Sequence, residues 1–317
     1  MKIALLHNPT AGDAALGPSQ LASPFKDAGY EVLYVSSKEK GWEKVFSEPF
    51  DRMVIAGGDG TVGRLAPWLA GGATPFCILP LGTANNCARS LSQMNTLQSV
   101  VSGLKSAQIK KLDLGIVTSS DGYQLFLESI GIGLLAGFMR EMRTLQHEKK
   151  SRNRLGSEER LMDALKYLRW MAEDYPEIEC ELLLDNEAVA GRFLLLEIAN
   201  MAFIGPNLQL FPRPDPSDGW LNVVWIESEQ RNQWRQYLQL CGRGKEAIAP
   251  ANSRRCQRIY IHYTNDSAHI DSKVFSSLVT PVSIRLERSA LHLIDLGPHR
   301  FLGSPRDAGT PSASILR

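Results

Sequence analysis

The sequence predicts an α/β N-terminal domain with a parallel sheet and helices, followed by a strand-rich C-terminal domain that we expect to be a β-sandwich. Its 317 residues exceed the usual size of a single core. Short apolar strands alternate with helix-like segments up to about residue 115, and turn-linked strands dominate beyond it. We therefore expect domains at 1–115 and 116–302, and a small, polar tail at 303–317 that is disordered.

The N-terminal part shows strands and helices in turn. Strands are predicted for IALLH, EVLYVSS, MVIAGG and PFCILPLG. Helices are predicted for QLASPFKDAGY, WEKVFSE, VGRLAPWLA, TANNCARSLS and TLQSVVSGLKSAQ. Ligands of such sheets bind beyond the carboxyl ends of the strands, so the turns HNPTAG, GGDGT and PLGTANN should lie on one rim.

The C-terminal part carries strand patterns and one clear helix. The strand patterns are KLDLGIVTS, QLFLESIGIG, ECELLLDNEAV, GRFLLLEIANM, WLNVVWIE, RIYIHYT and VSIRLER. SEERLMDALKYLRWMAEDYP predicts the helix, with Ser157 as its N-cap and two Glu in its first turn. We expect the basic stretch 143–156 before it to be a surface loop.

Composition narrows the classes of function. A net charge of +1 gives no support for a protein dominated by nucleic-acid binding. Five Cys without a CxxC pair argue against a disulfide framework or a zinc site, and fit a reducing cytosol. The sequence contains no apolar run near the length of a membrane span. We therefore expect a cytoplasmic protein whose contact with lipid, if any, is peripheral.

The stretch GGDGT at 57–61 combines glycines and one acid where a strand hands over to a helix. One interpretation is a tight turn. The other is a phosphate loop, because backbone N–H groups can approach phosphate oxygens where no Cβ intervenes and a helix N-terminus favours anions. Asp59 could then hold Mg²⁺ or accept a proton from an attacking hydroxyl.

PLGTANN at 80–86 favours the ligand interpretation. Gly82 permits close approach, Thr83 offers a hydroxyl at a helix start, and Asn85 and Asn86 can donate amides. The alternative is that Thr83 only caps its helix. HNPTAG at 7–12 is a third loop of the same kind.

Taken in order, these motifs resemble those of the bacterial diacylglycerol-kinase-like lipid kinases, relatives of sphingosine kinases. SIGIGLLAGF (129–138), ANMAFIGPNLQLFPRPDPSDGWLNVV (199–224) and AHIDSKVF (268–275) continue the resemblance, which covers about residues 1–300. It implies an N-terminal domain like that of NAD kinase, a β-sandwich, and an active site in the cleft between them. It also implies transfer of the ATP γ-phosphate to a lipid hydroxyl, with Mg²⁺ as cofactor.

The resemblance also implies which residues contact ATP. They are Asn8, Ser37, Gly57, Gly58, Asp59, Gly60, Thr61, Val62, Gly63, Gly82, Thr83 and Asn85. In DPSDGW it points to a structural metal site formed by Asp215, Asp218 and the Trp220 carbonyl, since oxygen ligands suit Mg²⁺. The alternative for that segment is an Asp-rich hairpin turn.

Asp271 is the expected general base, and Asp59 is the competing candidate. This chain departs from the family next to Asp271, where Ser272 and Lys273 replace Gly-Glu. Gly63 replaces a frequent Asn, Asp13 falls in a loop that is often basic, and Leu135 replaces a frequent acid. Glu128 and Glu197 lie within apolar strands; either could be a cleft acid, and an outward-facing strand residue is the simpler interpretation.

Three functions remain open. The first is an ATP- and Mg²⁺-dependent kinase of a lipid or lipid-like alcohol. The second is a weak or inactive nucleotide- or lipid-binding member, motivated by Ser272 and Lys273. The third is a soluble-substrate kinase of the NAD-kinase type, because that family shares GGDGT. The expected partner is a lipid substrate, with peripheral membrane contact and a homodimer left open.

Overall fold

The computed structural model describes residues 1–13, 16–148, 156–211, 214–245, 247–264 and 266–297. The predicted tail at 303–317 and residues 149–155 of the predicted basic loop lie outside these ranges.

Four parallel strands form the sheet of the N-terminal domain. They are β1 (Lys2–His7), β2 (Glu31–Ser36), β3 (Arg52–Gly57) and β4 (Phe76–Pro80). Their order in the sheet is β4-β3-β1-β2, and every pair is parallel. The carboxyl ends of β1, β3 and β4 therefore meet at one rim, as the alternating pattern predicted.

Helices cover both faces of this sheet. They are α1 (Pro18–Asp27), α2 (Asp59–Leu69), α3 (Asn86–Ser90) and α4 (Leu97–Gly103), with a 3₁₀ segment at Trp42–Ser47. Alternate residues of β1 point to opposite faces. Ile3 and Leu5 pack with α1 and α4, whereas Ala4 and Leu6 pack with α2.

The C-terminal domain is antiparallel and rich in strands, as predicted. Its strands are β5 (Gln108–Ser119), β6 (Gly122–Phe126), β7 (Ser129–Gly133), β8 (Ile178–Leu184), β9 (Glu187–Ala199), β10 (Phe203–Ile204), β11 (Leu208–Gln209), β12 (Leu221–Glu227), β13 (Asn252–Cys256), β14 (Arg258–Tyr263), β15 (Ala268–Ile270), β16 (Lys273–Phe275) and β17 (Val282–Asp295). The segment QLFLESIGIG, predicted as one strand, forms β6 and β7 instead.

Three helices cover one side of these strands: α5 (Leu134–Glu148), α6 (Ser157–Met171) and α7 (Arg231–Cys241). Their apolar side chains share a core with β9 and β12. Only α6 is predicted from the sequence. The expectation of a loop from residue 143 is wrong, because α5 continues to Glu148. Ser157 is the first helical residue of α6, and Gly156 is the N-cap.

The last strand joins the two domains. β17 pairs antiparallel with β5 from Ser283↔Thr118 to Asp295↔Gln108, and it also meets β4 in parallel at Leu293↔Phe76. The predicted boundary at residue 115 falls inside β5, which runs through it without a break. The described strands, apart from the β10–β11 pair, therefore belong to one continuous sheet.

No helix in the described part of the chain combines the length and the apolar character that crossing a membrane requires.

Candidate active site

A cleft of about 1150 Å³ opens between the rim of the parallel sheet and the C-terminal domain. Thr10, Gly12, Asp59 and Thr83 line it from the N-terminal domain. The C-terminal domain contributes Glu128, Phe138, Met139, Met142, Leu145, Arg160, Leu161, Asp163, Ala164, Lys166, Tyr167, Ile204, Gly205, Pro206, His269, Asp271 and Ser272. The three loops predicted to share a rim therefore meet at the same cleft.

The three loops pack against one another through glycines. A Cβ on Gly58 would lie 2.8 Å from the Cα of Gly82, and a Cβ on Gly82 would lie 2.5 Å from the Cα of Gly58. Gly12, with φ of +55°, rests on the Leu81 carbonyl oxygen, which would be 2.1 Å from a Cβ. Neighbouring backbone thus fills the space that these glycines leave, so packing accounts for them whether or not a phosphate binds.

Several residues that were predicted to contact ATP have side chains that bond to, or pack against, other residues of the protein. Asn8 donates its amide to the Thr61 hydroxyl at 2.9 Å. Asn85, in the left-handed region at φ 54°, bonds both the N–H and the carbonyl of Gly82. The Val62 side chain is buried in the hydrophobic core behind α2. In this structure these side chains shape the loops and do not face the cleft.

Ser37 follows β2 directly and is buried. Its N–H donates to the His7 carbonyl at 2.8 Å, and its carbonyl accepts from the Arg64 guanidinium at 3.1 Å. Its hydroxyl has no hydrogen-bond partner among the described residues. Ser37 lies at the rim but outside the cleft lining.

Asp59 and Glu128 form the polar floor of the cleft. The Asp59 carboxylate accepts the Cys87 N–H at 2.9 Å, and Glu128 accepts the Asn86 amide at 3.1 Å. Burial raises the pKa of Asp59, although N–H groups of Cys87 and Asn86 oppose the rise. Burial, reinforced by the charges of Asp59 and Asp271, raises the pKa of Glu128 well above its ordinary value. Glu128, the more buried of the two, therefore holds a proton more strongly.

Asp271 lies in the two-residue turn between β15 and β16, with φ of +47°. Its carboxylate accepts three backbone N–H groups, from Leu127 at 3.0 Å, Glu128 at 2.7 Å and Ser129 at 3.2 Å. Burial raises the pKa of Asp271, against the lowering effect of these donors. Asp271 therefore stands in the cleft as a rigidly held carboxyl of increased basicity.

The departure at Gly63 has a steric explanation. A Cβ on Gly63 would lie 2.9 Å from the Asp271 Oδ2 atom, so the turn that carries Asp271 packs directly on α2. Ser272 lines the cleft beside Gly60. Lys273 is exposed and is not among the residues that line the cleft.

Arg160 joins α6 to the predicted nucleotide loops. Its Nη2 atom lies 2.7 Å from the Asp13 carboxylate and 3.1 Å from the Thr83 hydroxyl. The hydrogen bond from Arg160 is the main cause of the lowered pKa of Asp13. The acidic departure at Asp13 therefore has a partner, and the pair places a guanidinium at the mouth of the cleft.

The opposite wall of the cleft is mainly apolar, and Arg160, Asp163 and Lys166 of α6 are its charged members. α5 contributes Phe138, Met139, Met142 and Leu145, and α6 contributes Leu161, Ala164 and Tyr167. Ile204 and Pro206 extend this wall. The cleft can therefore accommodate a molecule with a polar end at the carboxylates and an apolar body along the helices.

The DPSDGW turn places its two carboxylates next to cations of the chain. Asp215 accepts from the Lys110 ammonium at 3.1 Å and from the Ser217 N–H at 3.0 Å. Asp218 pairs with the Arg255 guanidinium, and the Arg288 guanidinium lies against Gly219. Cations of the chain therefore stand beside both acids in this structure, an arrangement that agrees with the hairpin-turn alternative.

Two acids of the apolar strands are buried. The simpler interpretation, that Glu128 and Glu197 face outward, is wrong, and the alternative of an inward-facing acid holds for both. Glu197 pairs with His269, with 2.9 Å between Oε1 and Nε2. An acid within an uninterrupted apolar run was the available signal, since a charged residue in a strand buried on both faces requires a partner.

A comparison with known families assigns the N-terminal domain. Residues 2–117 match the family model described as the diacylglycerol kinase catalytic domain. This stretch is therefore similar to the diacylglycerol kinase catalytic domain.

Relatives extend the likeness beyond the kinase domain. A curated diacylglycerol kinase of Bacillus subtilis (strain 168) is 23% identical over 255 residues, which span 76% of this chain and 78% of the relative. A crystal structure of a diacylglycerol kinase from Bacillus anthracis has a TM-score of 0.66 at 18% identity, and covers 92% of this chain and 96% of that one.

An NAD kinase from Archaeoglobus fulgidus, solved in complex with ATP, has a TM-score of 0.51 at 14% identity, and covers 93% of this chain and 94% of that one. The two structural likenesses concern the fold: a parallel α/β domain followed by an antiparallel, strand-rich domain. The likeness to a kinase catalytic domain is that of residues 2–117, which the family model matches.

Proposed function

We propose that the protein is an ATP-dependent kinase that transfers the γ-phosphate to a hydroxyl of a lipid alcohol. One observation carries the proposal: a single cleft joins the carboxyls of Asp59 and Asp271 to an apolar wall built by α5 and α6. A soluble acceptor would not need such a wall, whereas an acyl or alkyl chain would bury it.

Asp271 is the proposed general base. Its carboxyl takes the proton of the acceptor hydroxyl while the hydroxyl oxygen bonds to the γ-phosphorus, and the bond to the β-γ bridging oxygen breaks to release ADP. The raised pKa makes Asp271 a stronger base than an ordinary aspartate, and three N–H donors fix its orientation. Asp59 lies deeper, at the N-terminus of α2, and its carboxylate is tied to the Cys87 N–H.

The nucleotide is proposed to lie along the three loops. Thr83, Gly60 and the N-terminal end of α2 offer polar groups there, and Arg160 supplies a positive charge. A helix N-terminus and a guanidinium both favour the negative charge of phosphate. These groups would orient the γ-phosphate towards Asp271.

Magnesium fits the floor of the cleft better than the DPSDGW turn. Asp59 and Glu128 offer carboxylate oxygens, and the buried Asn86 Oδ1 has no hydrogen-bond partner among the described residues. Such hard oxygen donors suit Mg²⁺. When bound with the nucleotide, the ion would neutralise phosphate charge.

The decisive experiment offers ATP, Mg²⁺ and a panel of acceptors to the protein. The panel contains diacylglycerol, monoacylglycerol and long-chain amino alcohols in detergent micelles, and NAD in a reaction without lipid. We expect transfer to at least one lipid, and an Asp271→Asn variant slower by about 10²–10⁴-fold, the usual contribution of a general base. Asp121→Asn, in the exposed turn before β6, is the matched control and should keep the wild-type rate.

Other outcomes of this experiment would support one of the two alternative functions or exclude Asp271 as the base. Nucleotide binding by calorimetry without transfer to any acceptor identifies an inactive binding member. Phosphorylation of NAD alone identifies a kinase of soluble substrates. Equal rates for Asp271→Asn and wild type would remove Asp271 from the proposed mechanism.

A further inference from the structure

Glu197 and His269 meet across a strand that separates them. In the sheet order β15-β7-β9, His269 pairs with Gly131 and Gly131 pairs with Glu197. Neighbouring strands lie about 4.8 Å apart, so the two backbones are roughly 10 Å from each other. The side chains nevertheless meet over Gly131, where the His269 Nε2 atom lies 2.9 Å from the Glu197 Oε1 atom.

The middle residue has to be glycine. A Cβ on Gly131 would lie 2.0 Å from the Glu197 Oε1 atom and 2.4 Å from the His269 Nε2 atom. His269, Gly131 and Glu197 are register partners on three adjacent strands, and the contact between the two outer side chains depends on the glycine between them. Sheet register, and not the sequence spacing of 72 residues, brings the acid and the imidazole together.

The hydrogen bonds define the protons of the pair. The His269 Nδ1 atom lies 3.0 Å from the Asp271 carbonyl oxygen, which can only accept, so Nδ1 carries a hydrogen. A hydrogen bond between Nε2 and Glu197 then requires one more proton, on the imidazole or on the carboxyl. Burial, the largest single influence, lowers the pKa of His269, but the contacts with Glu197 and Asp271 together raise it. The charged groups facing the imidazole are Glu197 from β9 and Asp271 from the turn.

The imidazole holds the backbone of the turn that carries Asp271. The next carbonyl of this turn, that of Ser272, accepts the Arg143 guanidinium. A non-glycine residue at positive φ is strained, so contacts with neighbouring groups help the turn to persist.

We propose that Glu197 and His269 are a positioning pair that fixes the Asp271 turn, and thereby its carboxyl, in the cleft. The inference rests on the proposed function, in which Asp271 is the base. Neither side chain touches the reacting atoms: His269 acts through the carbonyl of Asp271, and Glu197 acts through His269.

Two substitutions of His269 by amide residues each remove one of its two hydrogen bonds and retain the other. The amide nitrogen of an asparagine stands near the position of Nδ1, so His269→Asn retains a donor for the Asp271 carbonyl. The amide of a glutamine reaches the position of Nε2, so His269→Gln retains only a partner for Glu197. We expect His269→Gln to lower kcat by about 10²-fold, the effect of a small misplacement of a catalytic group, with little change in the KM for ATP. His269→Asn, which loses only the contact with Glu197, should lower kcat less than His269→Gln does.

Hydrogen–deuterium exchange of the peptide at 268–275 provides a readout besides activity. His269→Gln should accelerate its exchange, and His269→Asn should accelerate it less. Glu197→Gln supplies a second test that preserves size, because its amide can donate to Nε2 of a neutral imidazole; exchange and kcat should stay close to wild type. Tyr263→Phe is the matched control, because it removes the hydroxyl that accepts a partly buried hydrogen bond from the Leu278 N–H at 2.7 Å in the same domain, and it should leave kcat unchanged.

Equal losses of kcat in His269→Asn and His269→Gln, or unchanged exchange at 268–275 in His269→Gln, overturn the proposal. If the wild-type protein transfers phosphate to no acceptor, the proposed function fails on its own. The exchange comparison then still decides whether the pair holds the turn.

Discussion

Three carboxyls of this cleft, those of Asp59, Glu128 and Asp271, have raised pKa values for which burial is the main cause. A buried acid with a raised pKa binds a proton in the folded state that the unfolded state has already released. Each such group therefore lowers the stability of the fold as pH rises from the ordinary carboxyl pKa through the raised one. The acids that lower stability in this way lie in the cleft, where a more basic carboxyl can accept a proton, as expected for a functional site.

The substitution Glu128→Gln tests whether a buried acid with a raised pKa lowers the stability of the folded protein. The substitution removes the titrating group but retains an oxygen for the Asn86 amide. We expect a higher melting temperature at neutral pH, by roughly 2–4 °C for each kcal/mol regained. The difference from wild type should vanish below the ordinary Glu pKa of about 4.3 and grow as pH rises.

Differential scanning calorimetry between pH 4 and 8 measures this difference. Glu181→Gln, on the exposed side of β8, is the control and should melt like the wild type at every pH. A lower melting temperature for Glu128→Gln at neutral pH would show that the Glu128 carboxylate is stabilised in the folded protein.

At the scale of elements, glycines set how closely the loops approach. Gly58 and Gly156 are both N-caps with extended backbone, at φ of −98° and −65°. An alanine at either position is free of backbone strain, but only Gly58 has a neighbour, the Gly82 backbone, whereas Gly156 has nothing within 4 Å. We expect Gly58→Ala to lower the free energy of unfolding by about 1–3 kcal/mol, and Gly156→Ala to leave it nearly unchanged.

Urea denaturation of both variants measures the difference. Two equally stable variants would mean that the loops can separate without cost. In that case packing would not explain Gly58, and close approach of a ligand would be the better explanation.

The DPSDGW turn yields a second prediction for an element. Because Lys110 and Arg255 neutralise its acids, the turn should fold without a metal ion. We expect EDTA to leave the melting temperature of the nucleotide-free protein unchanged. A stabilisation by millimolar Mg²⁺ that is present in the wild type and lost in Asp218→Asn would instead locate an ion at the turn.

At the scale of the whole molecule, the two domains share strands and a core. The cluster that packs beneath α2 includes Leu127, Met201, Leu291 and Leu293, which come from the C-terminal half of the chain. β17 also extends the parallel sheet at β4. The N-terminal domain is therefore incomplete without the end of the chain.

A fragment of residues 1–117 should consequently not fold alone. We expect low ellipticity in circular dichroism and no cooperative thermal transition, whereas the full chain should unfold in one transition that includes both domains. A folded fragment with a melting temperature near that of the full chain would contradict the structural dependence on β17.

The sequence by itself determined the order of strands and helices in the N-terminal domain and the rim where its loops meet. Alternating apolar strands and helices specify a parallel sheet, and the chirality and spacing of such units leave few arrangements. The sequence pattern did not predict α7, because its buried apolar residues are limited to Trp234, Tyr237 and Leu238 within a polar segment. It also missed α5, which follows β7 directly at Gly133 with no loop between them.

Only the tertiary structure decided which polar groups share the cleft. Glu197 meets His269 through the register of three strands, and Arg160 reaches Asp13 and Thr83 from a helix of the other domain. Lys110 and Arg255 pair with Asp215 and Asp218 although they lie 105 and 37 residues from their partners. Local patterns report periodicity along the chain, whereas the charge and burial of a site depend on contacts between distant segments that no local pattern encodes.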